Sequence, residues 1–420
     1  MEINTTQKNS LGTRWWGATR AACANPALRS SVFAFLLSRL LILFILVLTA
    51  NILFDAPVRG PVGDVHNSNI LLRRGVTEVL RRVTLGADSL WIINIARDGY
   101  EREPFNTTAQ HKWAFFPLYP LLLRFCASLT GEFPLTGIVL SNCFLFCALV
   151  LVYKTARAFG GDALVANRTV FYLAFFPVSY FFSLAQTESL FLLLTVSCVY
   201  AAKRERWWLA GMLGGLASAT RFAGVFLTIP LGVLYWQASR TNALGTSPDA
   251  KRSSQKIRTD VIALLLVPTG LLAFMIFLKH ITGDAFAFAH IQVAWGHTAG
   301  FFWQPLLTYL RDPLQVSAGW DFRLLNFAAT ITALVCSIVL MKRREWALGL
   351  FSLVSIVVPL SYQPLLQSLA RYVMVIFPVY IVLARAGSST RIDQVIQAIF
   401  VGLLCLMSAM LASSVTLAFA

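Results

Sequence analysis

Long apolar runs separated by short, mostly basic polar connections set the pattern of this chain. The first run, SSVFAFLLSRLLILFILVLTANI at 31–53, meets the roughly 20 apolar residues a membrane-crossing helix needs. A polar stretch of mixed sign, 54–112, comes next. AFFPLYPLLLRFCASL at 114–129 is apolar, but at ~16 residues it is short for a span. It also holds Pro117, Pro120 and Arg124, and so predicts a juxtamembrane or re-entrant helix. Further spans are predicted at 134–153, 168–185, 188–202, 260–279, 323–341, 346–362, 372–386 and 395–417. Two short passes within 207–236, broken near Arg221 and Gly224, bring the total to about 11.

The polar connections orient these spans. Lys8, Arg14, Arg20 and Arg29 precede the first run, and Lys154, Arg157 and Arg168 follow the second. KRER at 203–206, the basic loop 238–258, Lys342-Arg343-Arg344 and Arg391 recur at every second connection. Short basic connections stay cytoplasmic. This predicts a cytoplasmic tail at 1–30, a cytoplasmic loop at 238–258, a first outer loop at 54–133 with juxtamembrane helices, and a second outer segment at 280–321. The chain 1–420 reads as one integral membrane domain with its C-terminus outside, and no internal repeat is evident.

Composition agrees. Hydrophobic residues make up 57% and charged residues 13%, against about 25% charged in soluble domains. A water-soluble enzyme, a disordered chain and a disulfide scaffold are excluded. The net charge of +16 would suggest nucleic acid on a soluble protein. Here many of the basic residues sit in the short connections and encode topology, so no nucleic-acid partner is expected. The seven cysteines lie mostly in apolar runs without Cys-x-x-Cys, and His280, His290 and His297 fit no ligand spacing, so no metal is expected. No Gly-rich phosphate loop and no Asp-x-Asp occurs, and no cofactor is expected.

Candidate chemistry collects at the predicted outer ends of spans: Asp88, Gln186, Glu188, Arg221, Arg371 and Tyr372. Charges at membrane depth are costly and mark function or anchoring. Asp88 and Asp98 frame the apolar WIINIA, which predicts an interfacial helix burying Trp91, Ile92, Ile95 and Ala96. Asp88 then stands at the helix start, where the dipole favours a carboxylate. Tyr100, Trp113, Phe115, Phe116 and Tyr119 suit an interface or a sugar platform.

In order along the chain stand Asp88…Ile95-Ala96…Gly99-Tyr100…FFPLYP, Pro177…Gln186-Thr-Glu-Ser-Leu-Phe191, Ala219-Thr-Arg221…Gly224, GDAFAFAHIQVAWG at 283–296, and Ser368-Leu-Ala-Arg371-Tyr372…Phe377-Pro378. This set, spread over about 30–390, resembles the GPI mannosyltransferase II (PIG-V) family and its bacterial relatives, with Ala87 where the family usually has Trp before the acid. The resemblance implies a GT-C-type bundle and an inverting glycosyltransferase. Such an enzyme moves a hexose, mannose first, from a polyprenyl-phosphate donor to a glycolipid or glycan acceptor on the outer or luminal face. It implies Asp88 as catalytic base, Arg221 and Arg371 as donor-phosphate clamps, and Gln186, Glu188, Asp98, Tyr100 and Tyr372 as binding or orienting residues. Expected partners are the lipid donor, the acceptor and membrane lipids. The compact loops favour a bacterial plasma membrane over the endoplasmic reticulum. The competing class is a transporter or lipid flippase, which would place ionisable residues at mid-span and show repeat symmetry.

Overall fold

A computed structural model describes residues 25–54, 76–84, 88–243, 259–311, 313, 316–318, 321–362 and 368–418. Most of the expected tail, most of the 238–258 loop, Ala87 and parts of both outer segments lie outside the described residues. The described architecture is all-α apart from one antiparallel pair, β1 (Val316–Ala318) with β2 (Asp321–Phe322).

Helices α1 (Pro26–Phe54), α2 (Val76–Thr84), α3 (Ser89–Asp98), α4 (Leu118–Thr130), α5 (Phe133–Ala158) and α6 (Ala163–Ala174) come first. Next are α7 (Glu188–Lys203), α8 (Trp207–Ser218), α9 (Thr228–Ala243) and α10 (Thr269–Thr282). The last are α11 (Arg323–Lys342), α12 (Trp346–Leu360), α13 (Leu369–Met374), α14 (Phe377–Ala386) and α15 (Thr390–Ala418).

Among the described residues, 6 helical stretches are long and apolar enough to cross a membrane: Pro26–Ile52, Phe133–Ala158, Phe222–Arg240, Asp260–Thr282, Arg323–Lys342 and Thr390–Ser413. The other predicted spans are shorter helices, so long helices surround short, broken ones. The reason is where each sits. The long helices keep most of their apolar windows unburied, as low as 22% buried in Pro26–Ile52. Most residues of α7 and α14 are buried. Irregular backbone at membrane depth is tolerated where protein, not lipid, surrounds it.

The expected span 168–185 shows this. α6 stops at Ala174, ahead of Pro177, and the chain continues as a 3-10 turn over Ser179–Ser183. Proline lacks the N–H and cannot continue the ladder. The Ala174 carbonyl freed by the break accepts from Arg39 Nη2 at 2.9 Å and Ser179 Oγ at 2.7 Å. Arg39 also donates to Ser179 O at 2.8 Å and Ser183 Oγ at 3.0 Å, so an arginine of α1 pins the break.

α4 has 13 residues, which at about 1.5 Å per residue falls well short of the bilayer core. Gly131, in the left-handed conformation at φ 74°, ends it and turns the chain into α5. Tyr119 is buried between the two helices and donates to Gly137 O at 3.1 Å.

The basic connections meet at one end of the bundle. Arg385 bonds Glu345 Oε1 at 2.7 Å and Phe159 O at 2.8 Å, tying the ends of α14 and α5 to the start of α12. Lys203, at the end of α7, lies 5.0 Å over the Phe159 ring. Arg168 pairs with Asp393 at 2.9 Å, linking α6 to α15. Glu188 begins α7 and Lys203 ends it, so at about 1.5 Å per residue the Glu188 end lies roughly 22 Å away.

Candidate active site

At that other end, four chain segments deliver charged side chains to one place. Asp88 is the residue before α3 and Glu188 the first residue of α7. Arg221 stands in extended backbone at the break after α8, and Arg371 lies on the short helix α13. Asp88 Oδ2 accepts from Arg371 Nη1 at 2.7 Å. Glu188 Oε1 accepts from Arg371 Nη2 at 2.6 Å, Arg371 Nε at 2.9 Å and Arg221 Nη1 at 3.1 Å. The result is an Asp–Arg–Glu–Arg chain of alternating charge.

The members differ in exposure. The side chain of Glu188 is 0% exposed and that of Arg371 11%, whereas that of Asp88 is 35% exposed. Asp88 is therefore the acid open to solvent, and Oδ1 accepts no hydrogen bond among the described residues. All three nitrogens of the Arg371 guanidinium are committed to carboxylates. Arg221 commits only Nη1. Its guanidinium lies 5.3 Å over the Tyr372 ring and 5.8 Å over the Phe191 ring, and that of Arg371 lies 4.6 Å over the Phe181 ring. Such face contacts hold a cation while leaving donors free.

Local structure explains the positions. Arg221 is displaced from the α8 axis because helix ends at Ser218 and Gly224 folds back onto it. A Cβ on Gly224 would collide with backbone of Ala217 and Ser218. The Ala219 carbonyl at this break accepts from Leu118 N at 3.1 Å, which docks the FFPLYP segment beside Arg221. Gln186 is 1% exposed and donates to Ser89 Oγ at 2.9 Å, fixing the start of α3 and with it Asp88.

The sequence-named residues thus divide. Asp88, Glu188, Arg221, Arg371 and Tyr372 come together, and Gln186 braces them from beneath. Asp98 closes α3, roughly 15 Å from Asp88 by helical rise, and is exposed and paired with Arg97 at 3.0 Å. That hydrogen bond holds its carboxyl below the usual carboxylate range. Tyr100 donates to Phe115 O at 2.7 Å and packs against Phe274 and Phe277. The α3 face also differs from expectation. Ile93 is buried, whereas Trp91 is half-buried and stacks against Phe115 with Trp295 edge-on. An interfacial helix alone would bury one stripe; the loop 291–300 covers a second.

That loop brings a residue to the site which sequence reasoning weighed only for metal. His297 lies near enough to Asp88 for the carboxylate to favour its protonation, but burial outweighs this and pushes its imidazole down. Its Nδ1 lies 2.8 Å from Gln292 Oε1. Asp321 and Arg323 were also missed. Both are buried, on β2 and at the start of α11. Asp321 Oδ1 accepts from Asn326 Nδ2 and, at 2.8 Å, from Ser368 N. Burial pushes its carboxyl up, against these bonds and the charges of Arg323 and Arg371. An acid two residues before an arginine at a span start was the available signal.

The family described as mannosyltransferase (PIG-V) matches residues 30–300. A GPI alpha-1,6-mannosyltransferase 2 of Cricetulus griseus is 29% identical over 197 residues, 43% of this chain and 38% of that protein. The Homo sapiens protein of the same name is 28% identical over the same share of each chain. A GPI mannosyltransferase 2 of Schizosaccharomyces pombe is 25% identical over 48% of this chain and 42% of its own. The chain thus matches less than half the length of these curated relatives. Among solved structures, ArnT from Cupriavidus metallidurans bound to undecaprenyl phosphate superposes with a TM-score of 0.47 at 15% identity, covering 84% of this chain and 76% of ArnT. An Archaeoglobus fulgidus oligosaccharyltransferase gives 0.42 at 13% identity, covering 77% and 48%.

Proposed function

The chain belongs to the mannosyltransferase (PIG-V) family, and on that premise we propose that it is an inverting GT-C-type glycosyltransferase. It moves a hexose, mannose first, from a polyprenyl-phosphate donor to a glycolipid or glycan acceptor. The reaction takes place at the outer membrane face, in a bacterial plasma membrane on the strength of the compact loops. The observation that carries this reading is Asp88: a partly exposed carboxylate with one oxygen held by Arg371 and the other free.

The geometry maps onto a single displacement. Asp88 Oδ1 takes the proton from the acceptor hydroxyl as that oxygen attacks the anomeric carbon. The bond to the phosphate oxygen breaks in the same step, so the configuration inverts. The leaving group is a lipid phosphate, which needs a fixed cation rather than a proton. Arg221 has Nε and Nη2 uncommitted and supports this contact. Arg371 holds Asp88 at its fixed angle, and Glu188 holds both arginines. Gln186 acts one layer further out, through Ser89.

Turnover of polyprenyl phosphate mannose by purified protein, offered a panel of glycolipid acceptors, tests the reading. Asp88→Asn should lose roughly 10²–10⁴-fold in activity, the worth of a general base, and still bind donor. Asp98→Asn, at the far end of α3, should stay near the parent rate. An Asp88→Asn enzyme at the parent rate would remove Asp88 from the mechanism.

A further inference from the structure

Arg323 is 6% exposed, and Nε is buried without a hydrogen-bond partner. Among the described residues it forms no hydrogen bond and no ion pair. The neighbouring charges are paired: Asp88, Glu188, Arg221 and Arg371 form ion pairs with one another, although Glu188 Oε2 is itself buried without a hydrogen-bond partner, and Asp321 Oδ1 accepts from Asn326 and Ser368. A buried guanidinium without an anion is costly, and proteins rarely keep one idle.

Its place is tied to the site. Arg323 opens α11, and Asn326, one turn on, accepts from Ala370 N at 2.9 Å through Oδ1. Ala370 precedes Arg371. Asp321, two residues before Arg323, accepts from Ser368 N, three residues before Arg371. The first turns of α11 and α13 are therefore stitched together, and the Asp321 carboxylate feels both guanidinium charges. Asp321 does not pair with Arg323: no ion pair forms between them within 4.0 Å, and its Oδ1 is spent on Asn326 and Ser368.

We propose that Arg323 binds the phosphate of the lipid-linked sugar donor, supplying beside Arg221 the second cation that the leaving phosphate needs. The assignment rests on the polyprenyl-phosphate reading above. It also explains the otherwise unmatched charge: the anion that completes Arg323 arrives with the substrate. Arg371, each of whose nitrogens already donates to a carboxylate, positions the base.

The experiment compares the parent with Arg323→Met and Arg323→Lys, purified in detergent. Binding of a sugar-free polyprenyl phosphate, of the matching polyprenol and of an anionic phospholipid is measured, together with ligand-free melting. Arg323→Met should weaken polyprenyl phosphate binding by roughly 10- to 100-fold, the worth of one or two charge-assisted hydrogen bonds. Polyprenol binding should not change, and Arg323→Lys should fall between. Ligand-free Arg323→Met should melt no lower than the parent, because removing an unpaired charge relieves the fold. Equal polyprenyl phosphate binding by Arg323→Met and the parent overturns the assignment while leaving the donor reading standing. So does an equal loss for the phospholipid, or a lowered ligand-free melting point shared by Arg323→Lys. A parent that binds no polyprenyl phosphate overturns the donor reading itself, and the assignment with it.

Discussion

Glu188→Gln replaces the carboxylate beneath the two site arginines by an amide of the same shape. In the parent, one oxygen, Oε1, receives three charged donors at 2.6, 2.9 and 3.1 Å, and the side chain is 0% exposed. A hydrogen bond between charged groups contributes about 1 kcal/mol more than one with a neutral acceptor, so three weakened bonds amount to about 3 kcal/mol. Two guanidinium groups would then share the single charge of Asp88, which is 35% exposed and screened by solvent. That adds to the loss and brings it into the range of about 3–5 kcal/mol typical for one partner removed from a buried pair. Thermal unfolding of purified protein in detergent should show a drop of roughly several degrees. Asp88→Asn should show a much smaller one, because its carboxylate accepts one bond at the open end. Activity should fall in both, for different reasons: lost geometry in the first, a lost base in the second. A Glu188→Gln protein that melts with the parent would refute the idea that Glu188 is the buried anchor of the site.

Gly224→Ala should destabilise by about 1–3 kcal/mol, as overpacking does, and lower activity by moving Arg221, since its Cβ meets backbone of Ala217 and Ser218. Gly232→Ala, in the interior of α9 with open space around the new methyl, is the control and should stabilise by up to about 1 kcal/mol; the comparison is read by melting and turnover of both variants. A single cysteine in place of the exposed Arg204 at the α7–α8 turn, in a chain whose native cysteines are replaced, should react with a membrane-impermeant reagent only from the cytoplasm. Labelling from outside would invert the proposed topology.

The broken helices show how far a linear reading reaches. The interruption near Arg221 and Gly224 was legible because a charge and a glycine interrupt an apolar run, and the structure ends α8 at Ser218. The interruption after Ala174 was not read, although Pro177 was in plain view. Hydropathy averages over 168–185, where apolar residues outweigh Arg168, Thr169, Ser179 and Ser183. Pro177 interrupts the ladder, and Arg39, 135 positions away, supplies the donor that the freed carbonyl needs. Trp91 was misplaced in the same way, because the loop that covers it is distant in sequence.

The sequence by itself determined the class of the molecule, the alternation of apolar runs with basic connections, and part of the set of charges at this end of the bundle, without Asp321 and Arg323. Each of these follows from local composition: apolar length, loop charge and the cost of an ion at membrane depth. The family resemblance implied the same phosphate-clamp role for Arg221 and Arg371, since a guanidinium matches phosphate oxygens with paired donors. Only the tertiary structure separated them. Arg371 already donates from each of its three nitrogens to Asp88 and Glu188, Arg221 donates from Nη1 alone, and Arg323 makes no hydrogen bond or ion pair among the described residues. Which arginine is free depends on which carboxylates fold against it, and those partners stand up to 283 positions apart along the chain. Pairing at that separation is set by helix packing, which no pattern of neighbours encodes.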